Sequence, residues 1–156
     1  DRAISKLEEI KDDIEVWPAS GDEQQKVLIN EQVGAAIMWN GRAFVVKRDN
    51  IPELELYWDG AQASYGSGLV VMADGPNPEG AFEYLKWIVE HPEAQAQWTE
   101  ALTYMTPAKD LLDLVPPDVA EALPSSHADT LIVEDDEWIV ENSGAIQKAW
   151  QEFLAG

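Results

Sequence analysis

The stretch VGAAIMWNGRAF, residues 33–44, decides how the rest of the chain is read. Within it GAAIMW (34–39) carries apolar side chains at odd and even positions alike, the pattern of a strand covered on both faces in a parallel sheet. Asn40-Gly41 then breaks the run, and GRAFVVKRD predicts a short helix behind it. In an open α/β sheet, the turn from the carboxyl end of a strand into the next helix is where ligands settle. Trp39, Asn40 and Gly41 stand at such a turn. The helix start offers free backbone N–H groups, and the indole offers a flat apolar wall with a π face for cations. A tryptophan packing a helix end inside the core fits the same letters.

Working outward, residues 1–12 read as an amphipathic helix through Ile4, Leu7 and Ile10, and IEVWP (14–18) as a short strand stopped by Pro18. SGDEQQKVLINEQ predicts a second helix, with Ser20 as its N-cap and acidic residues in the first turn. ELELYW (53–58) alternates like a strand, and DGAQASYGSG (59–68) is rich in the small residues of a connector. LVVMA (69–73) is read as a strand, followed by the turn DGPNP. Two helices broken at His91-Pro92 come next, and proline-separated helices dominate from Leu102 onward. The order helix, strand, helix, strand is that of an α/β fold. Composition turns helix-rich after Gly68, which places a lobe boundary near 58–68.

The chain has 156 residues and is 46% hydrophobic, enough for a sizeable core. Thirty acidic against ten basic residues give a net charge of −20, which repels nucleic-acid phosphates and anionic membranes, so no nucleic-acid partner is expected. Without cysteine there is no disulfide framework and no thiolate chemistry. No apolar run approaches the ~20 residues of a membrane helix. DRAISKLEEIKDD lacks the apolar segment of a signal peptide and reads as helix already under way, so the natural protein is expected to begin upstream of Asp1.

Other residues could carry binding or chemistry. Asp59, Tyr65 and Ser67 lie on the connector, where small neighbours let backbone approach a ligand, although a spacer has the same composition. Tyr104, in ALTYMTPA, stands at a bend fixed by Pro107, as a ligand contact or a core filler with a satisfied hydroxyl. Of seven tryptophans, Trp87, Trp98 and Trp150 fall at helical spacing and read as core, while Trp17, Trp39, Trp58 and Trp138 sit near element ends and suit a pocket. Ser125, Ser126, His127 and Asp129 supply the residue types of a hydrolytic triad, but residues so close in sequence rarely reach that geometry. The acidic run EDDE (134–137) matches no calcium-loop spacing and is expected to cap the following helix. No P-loop or dinucleotide glycine pattern occurs, so neither cofactor, metal nor catalytic residue is assigned.

Taken in order, AAIMWNGRAF, YWDGAQASYGSGLVVMADGPNPEGAFEYLKWIVEHPEAQAQWTE, TYMTPAKDLLDLVPPDVAEALP and DDEWIVENSGAIQKAWQEFL resemble the C-terminal half of the spermidine/putrescine-binding-protein-like family. These are type II periplasmic solute-binding proteins of ABC importers. The resemblance implies two α/β lobes that close on a small solute, with only the C-terminal half of the full chain present. It implies residues 1–58 in the second lobe, 59–67 as a hinge crossing, and 68–156 as the returning part of the first lobe. It also implies membrane permease subunits as partners, and a location in the periplasm or outside the cell, where lipid anchoring is one mode. A missing N-terminal half, or a swapped copy of this chain, would complete the sheets.

Position by position, Trp39 matches the family's solute-stacking tryptophan, Tyr65 a second pocket aromatic, and Tyr104 a pocket tyrosine. Ser67 stands where the resemblance expects an aspartate that pairs with an ammonium, and Ile139, after Trp138, where it expects a glutamine. A buried ammonium without a carboxylate loses several kcal/mol of pairing. Either Asp59 supplies the charge, or the solute is another small amine, an amino-acid-like compound or an organic anion. An enzyme on the same scaffold and a lobe fragment that binds nothing are the competing readings.

Overall fold

A computed structural model describes residues 2–63 and 67–156. The helices follow their sequence signals. Helix α1 spans Arg2–Ile10 and runs into a 3₁₀ turn at Lys11–Asp13. Helix α2, Gly21–Ile29, is capped by Ser20, whose hydroxyl accepts from the Glu23 N–H, while the Glu23 carboxylate accepts from Ala19 N–H at 2.7 Å. This reciprocal capping pairs N–H groups that a helix start otherwise leaves free. Helix α3 spans Asn40–Asp49, and α4 (Pro78–Glu90) and α5 (Pro92–Leu102) meet at His91, as the His91-Pro92 break predicts. Short helices α6 (Leu111–Leu114) and α7 (Pro117–Glu121), with a 3₁₀ turn at Pro124–His127, lead to the long α8, Asp136–Ala155. Asp135 caps α8 by accepting from the Trp138 N–H at 3.0 Å, as the acidic run implied.

The predicted strands at 14–18, 34–39, 53–58 and 69–73 are not found as strands. Among the described residues the only ladder is a two-residue parallel pair, β1 (Gln62–Ala63) against β2 (Ile132–Val133). A strand exists through hydrogen bonds to a neighbour, and the described residues bring no second backbone alongside these four segments. In two of them apolar side chains face solvent instead: Ile37 is 95% exposed, and Leu69, Val70 and Met72 are also largely exposed, whereas Ile14, Val16, Leu54 and Leu56 are half-buried. The binary pattern that reads as a doubly covered strand is present, and its cover is not.

The main core joins α3 to the segment from α5 to α7. Phe44 packs with Ala96, Leu111, Val115, Val119, Ala122 and Leu123, and Met105, Ala108 and Ala120 close its edge. Leu123 and Val46 are fully buried. Each such side chain contributes about 1.5–3 kcal/mol relative to an exposed one. A smaller aromatic cluster joins the chain ends, where Trp17 meets Trp150 and Phe153 edge-on, with centroids 5.3 and 5.4 Å apart. Lys11 Nζ donates to Phe153 O at 2.6 Å there. Packing thus links segments on either side of 59–67, among them α1 with α8 and α3 with α5.

The reading of Trp87, Trp98 and Trp150 as core is corrected. Trp87 and Trp98 are each 46% exposed, and Trp150 stands at the surface of α8. Helical spacing places them on one face, but no helix among the described residues covers it fully. Trp87 instead lies flat on His91 and Trp98 tilts toward Tyr104.

Candidate functional site

Helix α3 begins where its backbone crosses closely over the end of α5. Trp39 is its N-cap residue, in extended backbone at φ −66° and ψ 138°, with no side-chain cap bond. Asn40 follows and donates its amide N–H groups to Thr103 O at 2.5 Å and Ala122 O at 3.2 Å. One side chain therefore ties the start of α3 to the end of α5 and to the residue beside Leu123. Gly41 is buried against the same bend. A Cβ there would clash with Leu102 O and stand 2.8–2.9 Å from the Tyr104 ring, so only glycine permits this approach.

The other side of the crossing is strained. Thr103 ends α5 in the left-handed region at φ 56°, where a β-branched residue is costly by about 1–3 kcal/mol. Its N–H donates to Thr99 O at 2.6 Å, its carbonyl accepts from Asn40, and the residue is fully buried. These bonds hold the reversal that turns Tyr104 toward Gly41. On this pinned platform the indole of Trp39 remains 62% exposed.

Of the expected site residues, the structure therefore brings together Trp39, Asn40 and Tyr104, the last half-buried with its ring against Gly41. Asn40 acts here as a tie between segments. Asp59 is exposed and accepts from the Tyr57 hydroxyl at 3.3 Å. Ser67 is exposed, and Tyr65 lies outside the described residues. The Trp138 ring stands exposed at the start of α8. The structure adds Arg42, whose guanidinium carbon is 5.8 Å from the centre of the Trp39 ring, and Gln25, whose Oε1 accepts from Arg42 at 2.8 Å. The signal for Arg42 was its i, i+3 spacing from Trp39 at a helix start.

Electrostatics near α2 is local. Asp22 is held below the usual carboxylate range first by its hydrogen bond from Lys26, then by the Lys26 charge, with the Arg42 charge the smallest contribution. That carboxylate binds Lys26 at 2.7 Å.

The residues of the considered triad are engaged otherwise. Ser126 Oγ donates to Ala120 O at 2.6 Å, and His127 Nε2 lies 2.6 Å from Glu121 O. The His127 ring stacks on Trp58 at 4.4 Å. Among the described residues no group of three acidic, histidine or cysteine side chains is arranged to hold a metal ion, and no helix is long and apolar enough to cross a membrane.

The architecture is that of a type II periplasmic-binding-protein-like α/β fold. A solved GABA-receptor structure superposes with a TM-score of 0.77 at 23% identity, covering 97% of this chain and 46% of that one. The chain belongs to the bacterial extracellular solute-binding protein family, whose model matches residues 1–125. It is 25% identical over 141 residues to the spermidine/putrescine-binding periplasmic protein of Salmonella typhimurium, covering 88% of this chain and 40% of that one. With the Escherichia coli protein of the same name it shares 24% over 135 residues, 86% of this chain and 38% of that one. It is 28% identical over 127 residues to a γ-aminobutyric acid-binding protein of Pseudomonas aeruginosa, covering 81% of this chain and 35% of that one. The chain thus spans about two fifths of the length of the curated relatives it matches. Those relatives are named as binding proteins, not as enzymes.

Proposed function

We propose that this chain supplies one wall of a solute trap outside the cytoplasm, which captures a small molecule without covalent chemistry and presents it to the permease subunits of an ABC importer. Its relatives are named for binding polyamines or γ-aminobutyric acid, and two of those names place them in the periplasm. The observation that carries the reading is a large aromatic ring left open on a rigid mount. Asn40, Gly41 and Thr103 fix the backbone that carries Trp39, and its ring is left open. Such a surface is pre-organised for a flat or apolar part of a guest at small entropic cost.

In this reading Trp39 stacks on the solute, Tyr104 lines the same crevice, and Tyr65, Asp59, Ser67 and Trp138 approach it when the halves close. In this reading the hinge crossing is 59–67, and β1 within it pairs with β2 from the later part of the chain. Ser126 and His127, residues an enzyme alternative would draw on, are each bonded to a separate backbone carbonyl.

Trp39→Ala is expected to weaken binding of the native solute at least tenfold, about the worth of one stacking contact on an aromatic ring. A thermal-shift screen against amines, amino acids and small acids identifies the solute, and calorimetry on wild type and variant measures the loss. Equal affinity in a folded variant would remove Trp39 from the site.

A further inference from the structure

The face of Trp39 that could attract a cationic group already has a cation beside it. Arg42 places its guanidinium carbon 5.8 Å from the ring centre, and its position is set by more than the indole. Gln25 accepts from Arg42 Nη1 at 2.8 Å, and the Gln25 amide reaches back to Arg42 O at 3.5 Å. Gly21 makes room beneath: a Cβ at that position would overlap Nε and lie 2.7 Å from both Cδ and Cζ. A side chain that is free in many rotamers elsewhere is here confined by a hydrogen bond, an aromatic ring and a missing methyl group.

This cation also lacks an anion. Among the described residues no carboxylate forms an ion pair with Arg42, in a chain with three acidic residues for every basic one. The carboxylate whose charge it reaches, Asp22, is bound to Lys26 at 2.7 Å. A half-buried guanidinium held by Gln25 and bound to no carboxylate keeps donors in the fork geometry that binds a carboxylate or phosphate bidentately. It also makes the ring a poor seat for a second ammonium, because two like charges on one indole repel more as water leaves the crevice.

Resting on the reading of Trp39 as a solute wall, we infer that Arg42, held by Gln25 and Gly21, is a specificity residue that binds a carboxylate of the solute, so that the site takes a small amino acid or organic acid in preference to a diamine. Two things follow. The solute lies with its acid end toward the start of α3. The guanidinium also offsets, locally, the field of a surface with net charge −20, which would otherwise turn an anion away.

The test uses matched solutes in calorimetry: 4-aminobutyrate, 1,4-diaminobutane and butyrate, and the five-carbon amino acid and diamine. Wild type is expected to bind a carboxylate-bearing member more tightly than the diamine of equal length. Arg42→Gln should weaken that member at least tenfold while changing the diamine less than twofold or improving it, and Arg42→Lys should fall between. Tightest binding to a diamine, no binding to any carboxylate-bearing member, or an unchanged preference in Arg42→Gln overturns the inference. Trp39→Ala separates the two ideas. If it lowers affinity while Arg42→Gln leaves the preference intact, the wall stands and the anion contact falls. If it alters nothing for a solute that binds, the wall itself is misplaced. Circular dichroism of each variant guards against simple unfolding.

Discussion

Leu123→Ala is expected to lower stability by about 2–5 kcal/mol, the usual range for emptying a fully buried leucine site. Leu123 has no solvent exposure and lies in the cluster that gathers Phe44, Ala96, Leu111, Val115, Val119 and Ala122. Three stretches of the chain, around Phe44, around Ala96 and from Leu111 to Leu123, meet there, so the vacated space cannot be refilled by moving one helix alone. Partial relaxation leaves a void whose lining loses its dispersion contacts. Urea unfolding should show a lower midpoint with an unchanged slope. A loss below about 1 kcal/mol would mean that the surroundings collapse freely and that the core is not centred on this residue.

Asn40→Leu should have a double effect, on stability and on binding together. The substitution keeps the side-chain size but removes both donors, leaving Thr103 O and Ala122 O without their partner. Each abandoned buried acceptor costs about 1–3 kcal/mol, so the combined loss is expected to be near 2–4 kcal/mol, because the bend can relax around one of them. The strained left-handed Thr103 then loses one of the contacts that hold it, and the mount beneath Trp39 loosens. Solute affinity should fall with stability even if Asn40 never touches the solute. A variant with normal stability and normal affinity would show that the tie does not organise the crossing.

The helical half of the architecture was legible because helices are terminated by local chemistry. Ser20, Asn77 and Asp135 each accept from a backbone N–H three residues onward, and Pro92 opens α5 where the sequence breaks. Such signals need nothing beyond their own few neighbours. Strands at 14–18, 34–39, 53–58 and 69–73 were read from binary pattern, and pattern describes the cover a segment requires, not whether the cover is at hand. The same gap explains Trp87, Trp98 and Trp150: spacing gives a face, and tertiary neighbours decide its burial.

For the site, Trp39 was legible as a large ring at a turn, and Tyr104 as a ring at a bend. That the two segments carrying them would meet was not, because the link is made by Asn40 across 63 residues to Thr103 and 82 to Ala122. Arg42 was passed over for a related reason. Its spacing from Trp39 is local, but its restraint by Gln25 and Gly21 comes from a separate helix.

The uncovered apolar stretches around Ile37 and Val70 share a molecule with a strongly negative surface, and the two govern how copies behave in solution. At low ionic strength, mutual repulsion keeps those stretches from meeting. Added salt shortens the reach of that repulsion to about 8 Å at physiological concentration. Colloidal behaviour is thereby coupled to salinity: charge keeps copies of this chain apart in dilute electrolyte, and added salt lets their apolar stretches approach.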